Sequence, residues 1–223
     1  MNRLPTAELL DSDAGSPAEV STALADLRRI NRWFGGVATT RTMLERVIEQ
    51  LDAPSLSLLE VAAGSGDVPL QVRESLKQRG VRLDVTLLDR TASHLRNGNA
   101  TRAMVADALN LPIGGSSFDL VSSALFVHHL PPDQMVQFVN EALRVCRIAV
   151  LINDLIRHPL HLALVYAGMP LYRGRLTRHD APASVRQAYT PAEMRTVLKQ
   201  TSASRIEIHR HYLFRMGVIA WKV

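Results

Sequence analysis

Residues 56–67 read Leu-Ser-Leu-Leu-Glu-Val-Ala-Ala-Gly-Ser-Gly-Asp, an apolar strand pattern that runs directly into a turn with two glycines. A helical pattern follows from Val68 to Arg79. Glycines between a strand and its helix let a ligand approach the backbone closely, with the N-terminus of the helix facing it. A dinucleotide fingerprint would need glycine where this chain has Pro69, and a phosphate-loop lysine is absent from the turn. The turn therefore predicts binding of a group other than a pyrophosphate.

Strand and helix patterns alternate on the C-terminal side of this turn. Strands are predicted at 83–89, 103–107, 118–125 and 148–153, and helices at 68–79, 91–96 and 133–145. This order, with many strands apolar on both faces, indicates a parallel sheet covered by helices on both sides. The segments 204–210 and 212–222 alternate with period two and predict a terminal hairpin, which adds an antiparallel strand to the sheet.

The flanking segments complete a predicted single domain over residues 1–223. Residues 1–15 are expected to be irregular, and helical spacing predicts helices over 17–34 and 39–51. The periodicity breaks after Asp154, and a capping box at Thr190 opens a further helix. The predicted parts are an N-terminal helical cap at 17–51, a core at 55–154, a lid insertion at 155–189, and a last helix with the hairpin at 190–223.

The composition limits the class of protein. Of the 223 residues, 47% are hydrophobic and 21% are charged, which excludes a disordered chain, and the single Cys146 excludes an internal disulfide. The longest weakly charged stretch, Leu160 to Tyr172, is too short to span a bilayer, which needs about 20 residues. The N-terminus has no apolar run of signal-peptide length. We therefore expect a cytoplasmic protein without a membrane span.

The net charge of +5 is unevenly distributed. Residues 1–143 include 13 basic and 17 acidic residues, whereas residues 144–223 include 13 basic and 4 acidic residues. A basic half is typical of a protein with an anionic partner, and equally of solvated surface arginines. Aromatic residues, which could stack on bases, make up only 5% of the chain, so we expect no nucleic-acid partner.

Two carboxylates end the second and third predicted strands. Asp89 lies 23 residues after Gly66, where a carboxylate can accept both hydroxyls of a ribose or can cap the helix that follows. Asp107 can accept the exocyclic amine of an adenine, with the backbone N–H of Ala108 offered to the ring, or can stabilise its own turn. Together with the glycine turn, these residues predict a nucleoside site at the carboxyl edge of the sheet.

Four motifs fall in order at the ends of four successive predicted strands: Glu60-x-Ala-x-Gly64-x-Gly66, Asp89, Asp107-Ala-x-x-Leu-Pro, and Phe118-Asp-Leu-Val followed by His128-His129-Leu130. In this combination the chain resembles class I S-adenosylmethionine-dependent methyltransferases, especially the subgroup with the ubiquinone/menaquinone-biosynthesis methyltransferases. The resemblance covers about residues 30–154 well and the remainder more weakly. It implies a Rossmann-like α/β fold with a seven-stranded, mostly parallel sheet. It also implies S-adenosylmethionine as cofactor and S-adenosylhomocysteine as product.

The resemblance further implies which residues bind the cofactor. The loop from Glu60 to Gly66 would hold the methionine part, Asp89 the ribose and Asp107 the adenine. The predicted cofactor-binding residues are Glu60, Ala62, Gly64, Gly66, Asp89, Arg90, Asp107, Ala108, Ser123 and Ala124. Ala62 departs from the family pattern, because it adds one methyl group where the usual loop has its first glycine. The N-terminal helices would cover the cofactor, and Arg32 or Arg41 there would pair with its carboxylate or face the solvent.

Candidate catalytic residues follow the fourth and fifth strands. His128 and His129 are adjacent, and side chains of adjacent residues in an extended turn diverge, so we expect at most one to face the acceptor as a base or ligand. Alternatively, both belong to a capped turn before Pro131. Asp154 and His158, which follow the fifth strand at the same edge, are the next candidates. No metal site is predicted, because the spacing of these histidines is not diagnostic.

The segment 157–189 is predicted to form the wall of the acceptor site. Its predicted substrate-binding residues are Tyr172, Arg173, Arg178 and Tyr189. The arginines would donate to a carboxylate, phenolate or phosphate of the acceptor, or lie exposed on a lid helix.

The chemistry of the acceptor limits what a histidine can do. A phenol with a pKa near 10 and a histidine near 6.5 differ by about 3.5 units, so an ordinary histidine assists proton removal without first ionising the phenol. We predict a methyltransferase whose small-molecule acceptor presents an aromatic, quinone-like or polyketide-like O or C nucleophile. The alternatives are an RNA or protein methyltransferase, or a non-catalytic cofactor-binding protein. The sequence leaves the oligomeric state open.

Overall fold

Helices and strands alternate along the part of the chain that the computed structural model describes, residues 1–10, 15–95 and 102–222. The strands are β1 (Ser55–Val61), β2 (Arg82–Asp89), β3 (Ala103–Val105), β4 (Phe118–Ala124), β5 (Cys146–Leu155), β6 (Arg205–His211) and β7 (Arg215–Trp221). The helices are α1 (Pro17–Trp33), α2 (Gly36–Leu51), α3 (Asp67–Lys77), α4 (Ala92–Leu95), α5 (Pro132–Val145), α6 (Pro159–Ala167), α7 (Arg175–Gln187) and α8 (Pro191–Leu198). Single 3₁₀ turns occur at Val127–His129 and Met169–Leu171. Within these described ranges, none of the helices combines the length and the apolar character that crossing a bilayer requires.

The strands form one sheet in the order β3-β2-β1-β4-β5-β7-β6. Neighbouring strands from β3 to β5 pair in parallel, whereas β7 runs antiparallel to both β5 and β6. The predicted α/β class, the mostly parallel seven-stranded sheet and the antiparallel C-terminal hairpin are therefore confirmed. The strand order reverses between β1 and β4, and a reversal of this kind opens a crevice at the carboxyl ends of the two strands.

Both faces of the sheet are buried under helices. Successive residues of a strand point to opposite faces, and in β5 both Leu151 and Ile152 are fully buried. Ile152 packs in the cluster that includes Phe138 of α5, whereas Leu151 packs in the cluster that includes Leu44 of α2 and Val72 of α3. Each such side chain contributes about 1.5–3 kcal/mol by leaving water. This two-sided burial explains why the central strands have continuous apolar runs.

Most element boundaries match the prediction, with informative exceptions. Helix α2 begins at Gly36, three residues earlier than predicted, because Gly35 adopts a left-handed conformation (φ 81°) and joins α1 to α2 without a linker. Strand β7 begins at Arg215 rather than at residue 212, because Leu213 and Phe214 have positive φ and form the hairpin turn. The predicted helix at 91–96 is α4, which ends at Leu95; its last predicted residue lies outside the described residues.

Residues 1–10, here called the N-terminal strap, form no helix or strand, as predicted, but they are held against the lid and are not frayed. The carboxylate of Asp180 in α7 accepts the backbone N–H groups of Leu9 and Leu10, at 2.8 and 3.1 Å. The Arg3 guanidinium donates to three backbone carbonyls at 2.7–2.9 Å, those of His128, Leu130 and Gln187. The partners lie more than 120 positions away in the sequence, so no local pattern could have revealed this segment.

A buried polar network ties the N-terminal helices to the sheet. The Asn153 side-chain amide in β5 donates to the carbonyl of Gly36 at 2.7 Å and to the hydroxyl of Thr40 at 2.8 Å. Its oxygen accepts from Arg215, whose guanidinium also donates to Asn31 of α1 at 2.7 Å. Arg215 is 1% exposed, and burial lowers its pKa to about 10, so it still carries its charge at neutral pH. Asn153 therefore holds helix, strand and buried charge together.

Replacing Asn153→Leu is expected to lower the free energy of unfolding by about 2–3 kcal/mol. Leucine is about as large as asparagine but cannot form hydrogen bonds. The Gly36 carbonyl, the Thr40 hydroxyl and the Arg215 guanidinium therefore each lose their hydrogen bond to Asn153. Urea denaturation measures the change. The exposed Asn110→Ala serves as control and should stay within about 0.5 kcal/mol of the original chain. A loss for Asn153→Leu no larger than that of the control would contradict the structural role.

Candidate active site

A cavity of about 820 Å³ opens at the carboxyl ends of β1 and β4. One side is formed by the glycine turn after β1 together with Asp89 and Asp107. The opposite side is formed by the N-terminal strap, α1 and α7, which contribute Glu8, Leu24 and Ser184 among others. The sheet reversal thus supplies the crevice, and segments distant in sequence close it.

The glycine turn has the backbone conformation that its sequence suggested. Gly64 and Gly66 have φ values of 53° and 72°, and a Cβ at Gly66 would collide with the Leu87 side chain. Ala62 also lies in the left-handed region, with φ 54°. A non-glycine residue there costs about 1–2 kcal/mol. The departure from the family pattern at Ala62 is therefore a backbone constraint as well as an added methyl group.

Asp89 connects the glycine turn to the end of β2. Its carboxylate accepts the backbone N–H of Gly64 at 2.8 Å and that of Thr91 at 2.9 Å, and the His94 ring lies 3.5 Å away. Burial opposes the charge, but the hydrogen bonds from His94, Thr91 and Gly64 outweigh it and hold the pKa of Asp89 below its usual value. The residue is therefore an ionised carboxylate at the cavity wall, and it stabilises the turn at the same time.

Asp107 and its neighbours lie at the outer end of the cavity. The Asp107 carboxylate accepts the backbone N–H of Leu109 at 2.9 Å, the turn that the sequence offered as an alternative role. Asp107 also lines the cavity, as do the predicted residues Arg90, Ala108 and Ala124. Ser123 does not line it: this residue is 2% exposed, inside β4. The alternation of the strand turns Ser123 away from the cavity that Ala124 faces, and a cofactor contact of Ser123 stays a prediction.

Glu60 is a buried carboxyl at the end of β1. It is 2% exposed and lines the cavity, and its described side-chain contact is a hydrogen bond with the Ser122 hydroxyl. Burial raises the pKa of Glu60 to about 7, although the Ser122 hydrogen bond lowers it somewhat. The carboxyl therefore changes its charge near neutral pH, directly beside the glycine turn.

His128 lies between two carboxylates on the far wall of the cavity. Its Nδ1 is 2.7 Å from Asp154 Oδ1, and its backbone N–H donates to Asp154 Oδ2 at 3.0 Å. Its Nε2 faces Glu8 Oε1 at 3.5 Å. Burial alone would lower the pKa of His128, yet Asp154 and Glu8 raise it to about 10. In this arrangement the ring holds a proton at neutral pH and does not present an open lone pair.

His129 and Glu8 complete the same cluster. The two histidine rings do not diverge as expected, because the 3₁₀ turn at Val127–His129 sets their centroids 4.0 Å apart. His129 Nε2 lies 3.9 Å from Glu8 Oε2, and Glu8 Oε1 accepts from Ser184 and Gln187 at 2.6 and 2.7 Å. Both histidines line the cavity. The predicted pair and Asp154 are thus brought together, with Glu8 as a fourth member that the sequence did not predict.

His158 does not reach this cluster, and its selection as a catalytic candidate is wrong. Its ring caps α6, because Nδ1 accepts the backbone N–H of Leu160 at 3.1 Å, and it stacks on Phe214. It lines a smaller cavity on another part of the surface. His161, on the same helix, lines the main cavity instead, with Nδ1 3.0 Å from the carbonyl of Ile156.

Tyr172 lines the cavity, but Tyr189 has a structural role. The Tyr189 hydroxyl donates to the Leu130 carbonyl at 2.7 Å, and the Arg3 guanidinium lies 4.2 Å from the centre of its ring. The side chain is 3% exposed and does not line the cavity. In this structure the ring supports the docked strap, and a substrate contact of Tyr189 stays a prediction.

The lid arginines Arg173 and Arg178 do not line the cavity, which agrees with the exposed alternative that the sequence left open. Arg173 and Arg178 are exposed and absent from the cavity wall; the Arg173 backbone N–H donates to Asp26, and Arg178 Nε donates to a backbone carbonyl of the same segment. Arg175 pairs with Glu19 of α1 at 2.8 Å. These side chains fasten the lid and face solvent, so the basic surplus of the C-terminal half does not concentrate in the cavity.

The arginines suggested for the cofactor carboxylate also lie outside the cavity. Arg32 is exposed near the end of α1, and Arg41 lies 3.8 Å from Glu45 on the surface of α2. The arginine of α1 that does line the cavity is Arg28, which pairs with Asp67 at 2.8 Å. Arg28 lies about one helical turn before Arg32 on the same side of α1, and the exposed position of Arg32 agrees with the alternative that it faces solvent.

Glu60→Gln is expected to stabilise the protein at about pH 8 and to have little effect near pH 4.5. The pKa of Glu60 rises from 4.5 to about 7 on folding, so below pH 4.5 the carboxyl is uncharged in both the folded and the unfolded chain. As the pH rises from 4.5 to 7, the buried carboxyl lowers the free energy of unfolding, and above pH 7 this loss no longer grows. This shift corresponds to about 3 kcal/mol. Urea denaturation at several pH values should show the gap between variant and original chain widening by about that amount. Glu49→Gln, at an exposed position, is the control. If the difference in free energy of unfolding between Glu60→Gln and the original chain changed with pH no more than that of the control, the raised pKa would be contradicted.

Solved structures share this fold over nearly the whole chain. The plantazolicin methyltransferase BpumL, solved with a triazolic desmethylPZN analog and SAH, aligns over 96% of this chain and 95% of its own, with a TM-score of 0.72 and 12% identity. The magnesium protoporphyrin IX methyltransferase (ChlM) from Synechocystis PCC 6803, solved with bound SAH, aligns over 91% and 95%, with a TM-score of 0.60 and 15% identity. At such identities the likeness shows the fold.

Sequence matches are concentrated on the cofactor half. A family model described as a methyltransferase domain matches residues 58–148. The ubiquinone/menaquinone biosynthesis C-methyltransferase UbiE of Rickettsia bellii (strain OSU 85-389) is 28% identical over 114 residues, which cover 47% of this chain and 44% of that protein. The match thus spans less than half the length of this relative. Residues 58–148 therefore match a methyltransferase domain, and the chain is similar to UbiE over less than half of its length.

Proposed function

We propose that the protein transfers a methyl group from S-adenosylmethionine to a small molecule whose O or C nucleophile is aromatic, quinone-like or polyketide-like. One observation carries this proposal: a single cavity of about 820 Å³ contains the glycine turn, Asp89 and the cluster around His128. A nucleoside-type cofactor and an acceptor can therefore lie in one enclosed space. The volume is within the range of about 300–1,000 Å³ found for small-molecule sites.

The cofactor lies against the glycine turn in this proposal. The turn from Glu60 to Gly66 holds the methionine part, Asp89 the ribose, and Asp107 with Ala108 the adenine. Two observations support this assignment: Asp89, Asp107, Ala108 and the turn residues other than Val61 and Gly66 line the cavity, and BpumL and ChlM, which share the fold, were solved with SAH. Leu24 of α1 covers the turn, so α1 and the strap shield the cofactor from water.

The opposite wall is suited to an amphipathic acceptor. Apolar side chains from α1, α6 and α7, among them Leu27, Val165 and Val185, line the cavity beside the polar cluster of Glu8 and His128. A flat, largely apolar molecule with one or two polar substituents fits such a surface better than a charged polymer. We therefore propose that residues 155–189, with the strap, form the acceptor wall, and that 17–51 form the cofactor cover.

Methyl transfer is an in-line displacement, and the chain’s own residues set its geometry. When bound, S-adenosylmethionine supplies an electrophilic methyl group on a sulfonium. The lone pair of the acceptor forms the new bond to the methyl carbon while the carbon–sulfur bond breaks, and the electron pair stays on sulfur. The enclosed cavity aligns the two reactants and excludes water. Asp154 fixes the His128 ring, so His128 and Glu8 present defined polar atoms to the acceptor.

The outward orientation of the lid arginines favours a small acceptor over a nucleic acid. A basic groove at the mouth of the site would be needed to follow a phosphate backbone, whereas Arg175 pairs with Glu19 of α1 and Arg178 donates to the Tyr172 carbonyl. The charge of Arg175 thus serves the attachment of the lid to α1.

Asp89→Ala is expected to weaken S-adenosylmethionine binding at least about tenfold, which corresponds to 1.4 kcal/mol. The variant removes a carboxylate from the cavity wall and also the acceptor for the Gly64 N–H, so both the ribose contact and the turn suffer. Isothermal titration calorimetry measures the affinity. Asp84→Ala on the same strand, where the side chain is exposed, is the matched control and should bind normally. Equal affinities for the two variants would refute the ribose role of Asp89.

Incubation with methyl-labelled S-adenosylmethionine and a panel of phenols, hydroquinones and polyketide-like enols tests the transfer itself. We expect labelled product from at least one member, with S-adenosylhomocysteine formed in equal amount. Cofactor binding without labelled product across the panel would instead favour a non-catalytic cofactor-binding protein. Label appearing in added RNA or protein, and in none of the small molecules, would favour the polymer-modifying alternative.

A further inference from the structure

Three potential metal-ligating side chains converge on the acceptor wall. Glu8 from the strap and the adjacent His128 and His129 each offer one ligand atom, and these atoms lie within 4.8 Å of one another. His128 Nε2 lies 3.5 Å from Glu8 Oε1, and His129 Nε2 lies 3.9 Å from Glu8 Oε2. Two histidines and one carboxylate are the protein ligands of a common type of zinc site. The sequence predicted no metal site because the spacing of the histidines is not diagnostic, and Glu8 was not among its candidate residues.

The separations suit a shared cation better than direct hydrogen bonds. Both distances exceed the 2.7–3.2 Å of an N–H···O hydrogen bond. Ligands bound tetrahedrally to one zinc ion at about 2.0–2.1 Å lie about 3.4 Å from each other. His128 Nε2 is also buried without a hydrogen-bond partner among the described residues. The His128 side chain is 2% exposed, and its Nε2 faces the Glu8 carboxylate at 3.5 Å, a separation that a shared cation would bridge.

The groups behind the ligands are arranged as in known metal sites. Asp154 binds the other ring nitrogen of His128 at 2.7 Å, the carboxylate–histidine arrangement that orients a metal-binding imidazole. Ser184 and Gln187 donate to Glu8 Oε1 and fix that carboxylate. The strap itself is held by Arg3, which donates to the carbonyl of His128. The three ligands are thus supported by three separate parts of the fold.

We propose that Glu8, His128 and His129 form a binding site for a divalent cation of the Zn²⁺ class, with an open coordination position on the cavity. The cation would replace the proton that His128 otherwise holds, since metal ligation requires a neutral imidazole. This placement deepens the proposed function: a cation there faces the acceptor and stabilises negative charge on its oxygen. An acceptor hydroxyl bound to the cation would then ionise at lower pH than a free phenol, whose pKa is near 10, without a histidine as base.

Metal binding can be measured without cofactor or acceptor. Protein lacking a histidine tag is stripped with a chelator and titrated with Zn²⁺ by calorimetry and with Co²⁺ by visible absorption, whose intensity reports tetrahedral coordination. We expect one ion per chain. Glu8→Gln and His129→Gln should each weaken Zn²⁺ affinity at least about tenfold and change the Co²⁺ spectrum, as loss of a ligand requires. His158→Gln is the matched control, because this exposed histidine lies outside the cavity, and it should bind like the original chain.

The outcomes separate this proposal from the proposed function. The metal site would be overturned if the original chain bound neither ion. It would also be overturned if Glu8→Gln and His129→Gln bound Zn²⁺ as tightly as His158→Gln does. Both results hold whether or not the protein methylates an acceptor. Circular dichroism and the affinity for S-adenosylmethionine show whether each variant is folded. Zn²⁺ binding in a chain that methylates nothing would leave the metal site in place and reject the enzymatic role.

Discussion

The reversal of strand order between β1 and β4 is the constraint on which the site depends. The helix after β1, α3, packs on one face of the sheet, and the helix after β4, α5, packs on the other. The two connections therefore separate at the carboxyl ends of adjacent parallel strands and leave a crevice between them. The glycine turn, Asp89 and the histidine pair all occur at such strand ends. Their convergence follows from topology, before any side chain is considered.

The crevice becomes an enclosed site only through segments that lie outside the parallel core. The strap crosses to α7, α1 contacts α7 through Leu24 and Leu176, and Asn153 ties α2 to β5. Several charged side chains are buried where these segments meet the core, and each is held by hydrogen bonds, which a buried charge requires. His128, Asp154 and Glu8 form one such group and Arg215 another. The sequence predicted that lid arginines would offer charged groups to the acceptor. The buried charged side chains at the cavity wall, such as Glu8 and Arg215, come instead from the strap and the sheet.

The limits of the sequence prediction have a physical pattern. Signals that depend on neighbouring residues were reliable: strand periodicity and capping boxes predicted the observed elements, and the Asp89 and Asp107 side chains do line the cavity. Which residue of an element faces the cavity depends on tertiary packing and is harder to predict from sequence. Ser123, Arg32 and His158 do not line the cavity, whereas the nearby Ala124, Arg28 and His161 do.

Glu8 belongs to a third kind of residue, because its importance arises only from tertiary contact. Its segment has no periodic pattern, and its partners lie more than 100 positions away. The same separation bears on how the chain acquires its site. The sheet and its two helical layers involve shorter connections, whereas the strap must close loops that span most of the chain, and such long-range contacts are slow to form. The scaffold can thus be complete before the cluster around His128 is assembled, and local opening of the strap can dismantle that cluster while the core stays folded.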